Sequence, residues 1–487
     1  MPKVIYKDFM GGYSVQDRNA PVNTYVEGTE IDPYRNMGYL SPGLSPTNIT
    51  DSIVGLVTDI IADPATDDAY LIDATKLYHI TSITSDTFDA NFDGSSHNYK
   101  AITSASQGYS LAMYNISGTS YLFYGYKTAA KGAIGTYDLS STFNDTKIDN
   151  LQKAPISMEE WKGYLYYGHG KYVGRYDGAN DSADSTKLDL GTGWEVTKII
   201  PTQNYLAICA WIAHTSGSFY RTESRIFFWD GTSSTWSYNI PIADNKIING
   251  FNNNGELVIV TEGRTSASTL YRLTPSQYPE RIQRLKIPLS GTDTFFSVGS
   301  FNSMDTFRNR LLMGTDFNYG IKVFSYGAEE KGQPLAITMP YGVASGSTGS
   351  TFGCLKCLFV NKIYIAYEKD DTYYLDKITT GNSTRAYYKG GYFEADQRIR
   401  VNYVKFYFKT LVASDSVTVS LDTDYGTSND LRDLAGNKTI TYTNDGAVNY
   451  KRFDVGVDCH SFRPVIDWSA GGVAFAKIVV DYDYISD

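Results

Sequence analysis

The chain reads as all-β, a β-propeller of about seven blades followed by a C-terminal β-sandwich or jelly roll. Three observations lead there. The 487 residues include 41 Tyr, 23 Phe and 6 Trp, and aromatic and β-branched side chains suit a pleated, half-buried surface. Short apolar runs bounded by glycine-containing turns stand where long helical periodicity would be. One pattern then recurs at roughly fifty residues, the spacing of a four-stranded propeller blade.

The repeat consists of an apolar run, a polar turn and a second run centred on an aromatic. In order the pairs are "DDAYLID" with "KLYHITS", "TSYLFYGY" with "IGTYDLS", "KGYLYYG" with "YVGRYDG", and "NYLAICAWI" with "RIFFWDG". They continue as "GELVIVTEG" with "TLYRLT", "RNRLLMGT" with "GIKVFSYG", and "NKIYIAYE" with "TYYLDKI". Tyr78, Tyr137, Tyr176, Trp229, Tyr271, Phe324 and Tyr374 are the structural aromatic anchors. A four-stranded unit cannot bury both faces alone, and closing several around an axis removes the exposed edges. The count lies between about six and eight, because "SIVGLVTDIIAD" (52–63) reads either as the inner strand of the first blade or as the closing partner of the last. A pair of β-sandwiches is the competing arrangement.

This divides the chain into an extended N-terminal segment (1–50) that closes the propeller or contacts a neighbour, a propeller (51–385) and a sandwich (386–487). In the last part "IRVNYVKFYFKTL" alternates strictly and then shifts phase between Tyr403 and Val404, as a β-bulge makes a strand do. Four further strand-like runs follow it.

Formal net charge is −10, which argues against a general grip on nucleic acid. Cys209, Cys354, Cys357 and Cys459 are too few and scattered for a disulfide scaffold. The start lacks the apolar stretch of a signal peptide, and no run of ~18 apolar residues could span a bilayer; the expectation is synthesis in a cytoplasm without membrane insertion.

No catalytic constellation emerges. "CLKC" (354–357) has the spacing of half a zinc site, yet no second pair follows, and positions i and i+3 of a strand face opposite ways. The histidines, among them His79, His97, His214 and His460, have no partner at metal spacing. Glu159–Glu160, Glu329–Glu330 and Asp370–Asp371 read as solvated turn residues, although propeller glycosidases do use paired carboxylates. "WDGTSSTW" (229–236) is similar to the Asp-box turn of sialidase propellers, where it stabilises the fold. P-loop, GxSxG and HExxH patterns do not occur. In "YLYYGHGKYVGRYDGAN" (164–180) three glycines nearly spell a nucleotide loop around His169; as the third unit of the repeat, the stretch reads as two strands joined by Gly168–Lys171, with His169 a solvated turn residue.

The N-terminal run "APVNTYVEGTEIDPYRNMGYLSPGLSP" (20–46) sets an early Asn, then Gly-x-Leu and Pro-Gly, ahead of the propeller. "YFEADQRIRVNYVKFYFKT", "VSLDTDYGTSND" and the closing "FAKIVVDYDYISD" follow it. Through Asn23, Gly38, Leu40, Pro42 and Gly43 this layout resembles the hub or nozzle (packaged-DNA stabilisation) proteins of short-tailed bacteriophages. The resemblance implies a structural virion protein of the tail or neck, forming a sixfold or twelvefold homo-oligomeric ring beside portal-adaptor and other tail proteins. It implies transient, non-specific passage of DNA, and no catalysis, cofactor or metal. An acidic lumen would repel the phosphates of exiting DNA and keep friction low. Two other readings are a propeller binding host-surface glycans through exposed Tyr and Trp, and a propeller hydrolase of polysaccharide.

Overall fold

The computed structural model describes residues 2–11, 21, 23–33, 35, 39–49, 53–216, 219–244, 246–253, 255–262, 268–273, 278–284, 286–289, 292–295, 297–298, 301–307, 310–316, 322–326, 337–342, 350–359, 362–383, 386–424 and 427–485. Gly38, Ser52 and Glu329–Glu330 lie outside them.

The protein is a seven-bladed β-propeller with a curled C-terminal antiparallel sheet. The first strands of the blades, from the axis outward, are Asp59–Ala62, Gln107–Ile116, Ser157–Trp161, Trp194–Pro201, Lys246–Asn253, Met304–Phe307 and Thr351–Leu358. Each abuts the next, and the last abuts the first, so the circle closes. Each quoted sequence pair forms the second and third strands of one blade. Second strands are sandwiched between neighbouring blades and are therefore apolar on both faces: Tyr164–His169 is buried from Leu165 onward, and Glu256–Glu262 is buried from Leu257 to Thr261. Outer strands such as Ser182–Asp189 are mostly exposed and polar. The hairpin turns supply the backbone that such tight connections need. Lys162–Gly163 and Asp370–Asp371 hold successive residues at positive φ (49° and 79°, 51° and 58°), the geometry whose twist matches paired strands.

The propeller is closed by the N-terminal segment. Leu44–Asn48 is the outer strand of the seventh blade, paired with Thr372–Asn382, whereas Asp59–Ala62 is the inner strand of the first. Between blades one and seven, Asp86 accepts from Lys362, Lys377 and Tyr364.

The C-terminal sheet is assembled from remote parts of the chain. Its order is Lys3–Lys7, Phe475–Tyr484, Phe393–Phe408, Tyr450–Ala470, Tyr387–Gly390 and Tyr25–Thr29, with Ser416–Thr423 also on Tyr450–Ala470. Register slips between Val401 and Tyr403 against both neighbours, the expected bulge displaced toward Asn402. The sheet curls around Val401, Val404, Phe406, Phe453, Phe462 and Trp468. The same apolar cluster continues into blades five and six through residues such as Val260, Leu270, Met313 and Phe324. The C-terminal sheet and the propeller thus share one core.

Candidate functional site

The seven anchors all lie on third strands, and the polar atoms of four are consumed locally. Tyr78 Oη donates to Asp73 Oδ2 (2.6 Å), Tyr176 Oη to Asp181 Oδ1 (2.6 Å) and Tyr271 Oη to Asp244 Oδ2 (2.9 Å). Trp229 Nε1 donates to Ser233 O (2.8 Å). Tyr137 stacks on Phe143 and Tyr374 on Tyr367, with centroids 4.1 and 5.1 Å apart, and Phe324 is fully enclosed. Trp229 is also buried, so it presents no surface to a glycan. Asp230 accepts from the backbone N–H groups of Thr232 and Ser233 (2.8 Å each) and from Ser233 Oγ (2.6 Å). Those donors hold its carboxyl below the usual carboxylate range, and "WDGTSSTW" is a self-satisfied turn.

Of the N-terminal motif residues, Leu40, Pro42 and Gly43 sit where the two regions meet. Leu40 is buried and exchanges both backbone hydrogen bonds with Phe475 of the C-terminal sheet (2.9 Å each). Gly43 N donates to Glu30 O (2.6 Å), and Gly43 O accepts from Ser383 N (2.8 Å) at the end of the seventh blade. Pro42 O accepts from Arg35 Nη1 (3.1 Å), and Asn23 O from Gly11 N (3.1 Å). Nearby, Arg310 of blade six forms a forked pair with Asp32 (2.7 and 2.8 Å) and donates to Tyr341 Oη (2.9 Å), all three side chains buried.

Along the axis the first strands enclose a cavity of about 350 Å³ lined by Asp59, Glu159, Lys198, Asn302 and Lys356. Both of its lysines are matched by carboxylates. Asp59 accepts from the backbone N–H groups of Ile60 (2.9 Å) and Leu111 (2.8 Å) and lies 3.6 Å from Lys356 Nζ. Glu159 lies 3.5 Å from Lys198 Nζ. Burial opposes the charge on Lys356, yet Asp59, Asp305 and Glu159 outweigh it and hold the ammonium above the usual lysine range. Asn302 Nδ2 spans from the entrance of blade six to Thr58 O and Tyr109 O (both 2.9 Å). Bonds that tie a carboxylate to the next blade's backbone are suited to holding blades in register. The Glu159–Glu160 doublet therefore belongs to an inner strand and not to a turn, and neither residue could be assigned to the axis without knowing which strands face it.

His169 departs furthest from expectation. It ends the second strand of blade three, opposite Tyr172, and is buried. Its Nε2–H donates to Ser185 O (2.7 Å), while Nδ1 accepts from Gln152 N (3.2 Å), which assigns the neutral tautomer. Burial holds the imidazole below the usual histidine range, against the pull of the Ser185 carbonyl. The turn itself reduces to Gly170–Lys171, with Gly170 buried and at φ 64°. An outer strand folding back over the hairpin covers His169, which the hairpin's own sequence does not disclose.

The cysteines are free thiols. Burial pushes Cys354 and Cys357 well above the usual thiol range, and Cys209 and Cys459 up to about 12. Among the described residues no three His, Cys, Asp or Glu side chains could hold a metal.

The solvent side of the C-terminal sheet carries a different surface. Register sets Lys7, Lys477, Tyr407 and Tyr450 in one row across four strands. Lys405 Nζ lies 4.0 Å from the Tyr450 ring and 4.8 Å from that of Tyr407; Lys477 Nζ is 4.4 Å from Tyr407, and the Arg452 guanidinium 4.0 Å from Tyr403. Ile5 and Tyr450 are exposed there. Arg452 is paired with Asp454 (2.7 Å), while Lys405 and Lys477 give this aromatic patch its basic character on an acidic chain.

No protein-family model matches the chain, and no curated protein does. Solved propellers are similar in fold. The extracellular domain of the one component system BT4673 from B. thetaiotaomicron is 13% identical with a TM-score of 0.45; the match covers 77% of this chain and 46% of that one, so this chain spans under half its length. The Dos1 propeller is 11% identical over 70% of this chain and 96% of that one, with a TM-score of 0.44. Drosophila Semaphorin 2a is 9% identical over 69% and 75%, with a TM-score of 0.45.

Proposed function

We propose that this β-propeller protein is a non-catalytic structural subunit of a bacteriophage virion, a tail or neck hub that assembles as a ring around the DNA exit path. The reading rests on the resemblance of the N-terminal segment, and one observation supports it most. That segment supplies strands to the C-terminal sheet and to the seventh blade, uniting both regions in a single body whose basic, aromatic sheet face points to solvent. A rigid body with one such face suits head-to-tail contact with an acidic neighbouring copy, and a head-to-tail interface closes into a ring when its rotation allows. Opposite potentials would fix the register of that contact.

Electron microscopy and mass measurement of the purified protein, and of particles that contain it, test the proposal. A ring in the tail or neck, dispersed to monomers by Lys405→Glu with Arg452→Glu, is the expected result. A monomer that never enters virions would overturn it.

A further inference from the structure

A second cavity, of about 480 Å³, opens where the inner strands of blades two to five begin. That volume lies within the range of small-ligand sites. Its lining includes Lys127, Lys131, Lys153, Lys246, Tyr109 and Phe301, with Glu195 as the one carboxylate among the described residues. Phe301 and Asn302 are consecutive, yet each faces a different cavity. The two cavities differ in charge: the first pairs its lysines with carboxylates, and among the described residues this one leaves most of its lysines unmatched.

Lys153 Nζ pairs with Glu195 at 2.7 Å. Lys246 is half-buried and meets no carboxylate within ion-pair distance among the described residues. Its ammonium lies 4.9 Å from the Trp211 ring and 5.0 Å from that of Phe301. Burial pulls Lys246 below the usual lysine range, against the influence of Glu195 and Glu262. The buried indole N–H of Trp211 has no acceptor among the described residues. Lys127 and Lys131 stand exposed at the rim, on a hairpin loop fixed by Thr128 Oγ1, which donates to Lys131 O (2.9 Å) and accepts from Lys131 N (3.0 Å). On the other side Gln152 is held through its backbone by His169 and through Oε1 by the N–H of Lys171 (3.1 Å). Gly170 sits at φ 64°, the left-handed region that favours glycine, and a Cβ there would displace the Gln152 amide from its place in the wall.

A desolvated ammonium without a counter-charge is costly, and an anion arriving beside it offsets that cost. Clefts lined by one sign of charge also concentrate ions of the other. The rings of Tyr109 and Phe301 add flat apolar surface next to the lysines. We propose that this axial mouth binds a small anionic sugar, with its carboxylate or phosphate against Lys246 and the sugar ring against the aromatic wall. Lys246 is the binding residue, Lys127 and Lys131 attract the anion at the entrance, and His169 positions the wall. The proposal is independent of the ring assembly.

Titration calorimetry on the full chain, with glucuronate, glucose 6-phosphate, inorganic phosphate and neutral glucose as probes, tests it. Saturable binding of glucuronate or glucose 6-phosphate, with glucose silent and phosphate weaker, is expected; which of the two binds tells carboxylate from phosphate. Lys246→Met should weaken that binding roughly tenfold to a hundredfold, as losing a charge-assisted hydrogen bond does, while its melting temperature stays level or rises because an unmatched charge is gone. Failure of both charged sugars to saturate, equal binding of glucose, or unchanged affinity in Lys246→Met would overturn the proposal. A fall in melting temperature in that variant would do the same, by showing Lys246 to be structural.

Discussion

The propeller and the C-terminal sheet are both antiparallel β-structure, yet they are built on opposite plans. Within a blade, strands pair with strands close by in sequence, and among the described residues only the seventh blade borrows one from afar. In the C-terminal sheet, Lys3–Lys7 pairs with Phe475–Tyr484, and Tyr25–Thr29 with Tyr387–Gly390. Local pairing closes short loops at small entropic cost, whereas joining the two ends of a long chain must be offset by burial in one step. The propeller is therefore a sum of similar units, and the sheet depends on a few remote contacts.

Three experiments sharpen that contrast. The largest effect is expected at the sheet's edge. Val4 is buried beside Tyr6 in the core shared with blades five and six, and Val4→Asp inserts a carboxylate whose burial costs several kcal/mol. Calorimetry should show one cooperative transition at much lower temperature. Two separate transitions, with the propeller unchanged, would mean that the regions are energetically independent despite the common core.

Next is the buried link between the N-terminal segment and blade six. Asp32→Ala leaves the Arg310 guanidinium without its forked carboxylate, a loss of about 3–5 kcal/mol. The double variant Asp32→Ala with Arg310→Met should recover most of it, because it removes the stranded charge. Denaturant midpoints decide between this and a purely steric role, in which the double variant would be the worse of the two.

The smallest effect belongs to a single blade. The imidazole of His169 is held below its ordinary value, so between that ordinary value of about 6.5 and the lower folded one the unfolded chain binds more protons. Stability must then rise with pH across that window and be lost as the solution is acidified through it. His169→Gln should flatten this slope in melting temperature against pH. An unaltered slope would place the titration elsewhere.

The contrast also explains what could be read in advance. Blade strands were legible because each lies between neighbours on both faces, so its apolar run and its turn stand together in the sequence; the third-strand aromatics from Tyr78 to Tyr374 mark every blade for that reason. Asp370–Asp371 was legible as a turn, and the bulge near Asn402 as a break in alternation. Glu159, Lys198 and Lys356 were not, since a charged residue on an inner strand looks the same in a sequence whether it faces the axis or solvent. The same holds for Lys246 and Trp211, brought together from different strands, and for His169, covered by an outer strand.

Local pattern by itself determined the all-β class, the repeated blade, its aromatic anchors and the turn chemistry, because hairpin pairing and side-chain alternation are properties of short stretches. Tertiary structure alone decided which segment closes the propeller, how both ends of the chain join one sheet, and which lysines around the axis go unmatched. Those depend on residues hundreds of positions apart reaching the same few ångströms, where burial and the sum of neighbouring charges, and not residue type, set what a side chain does.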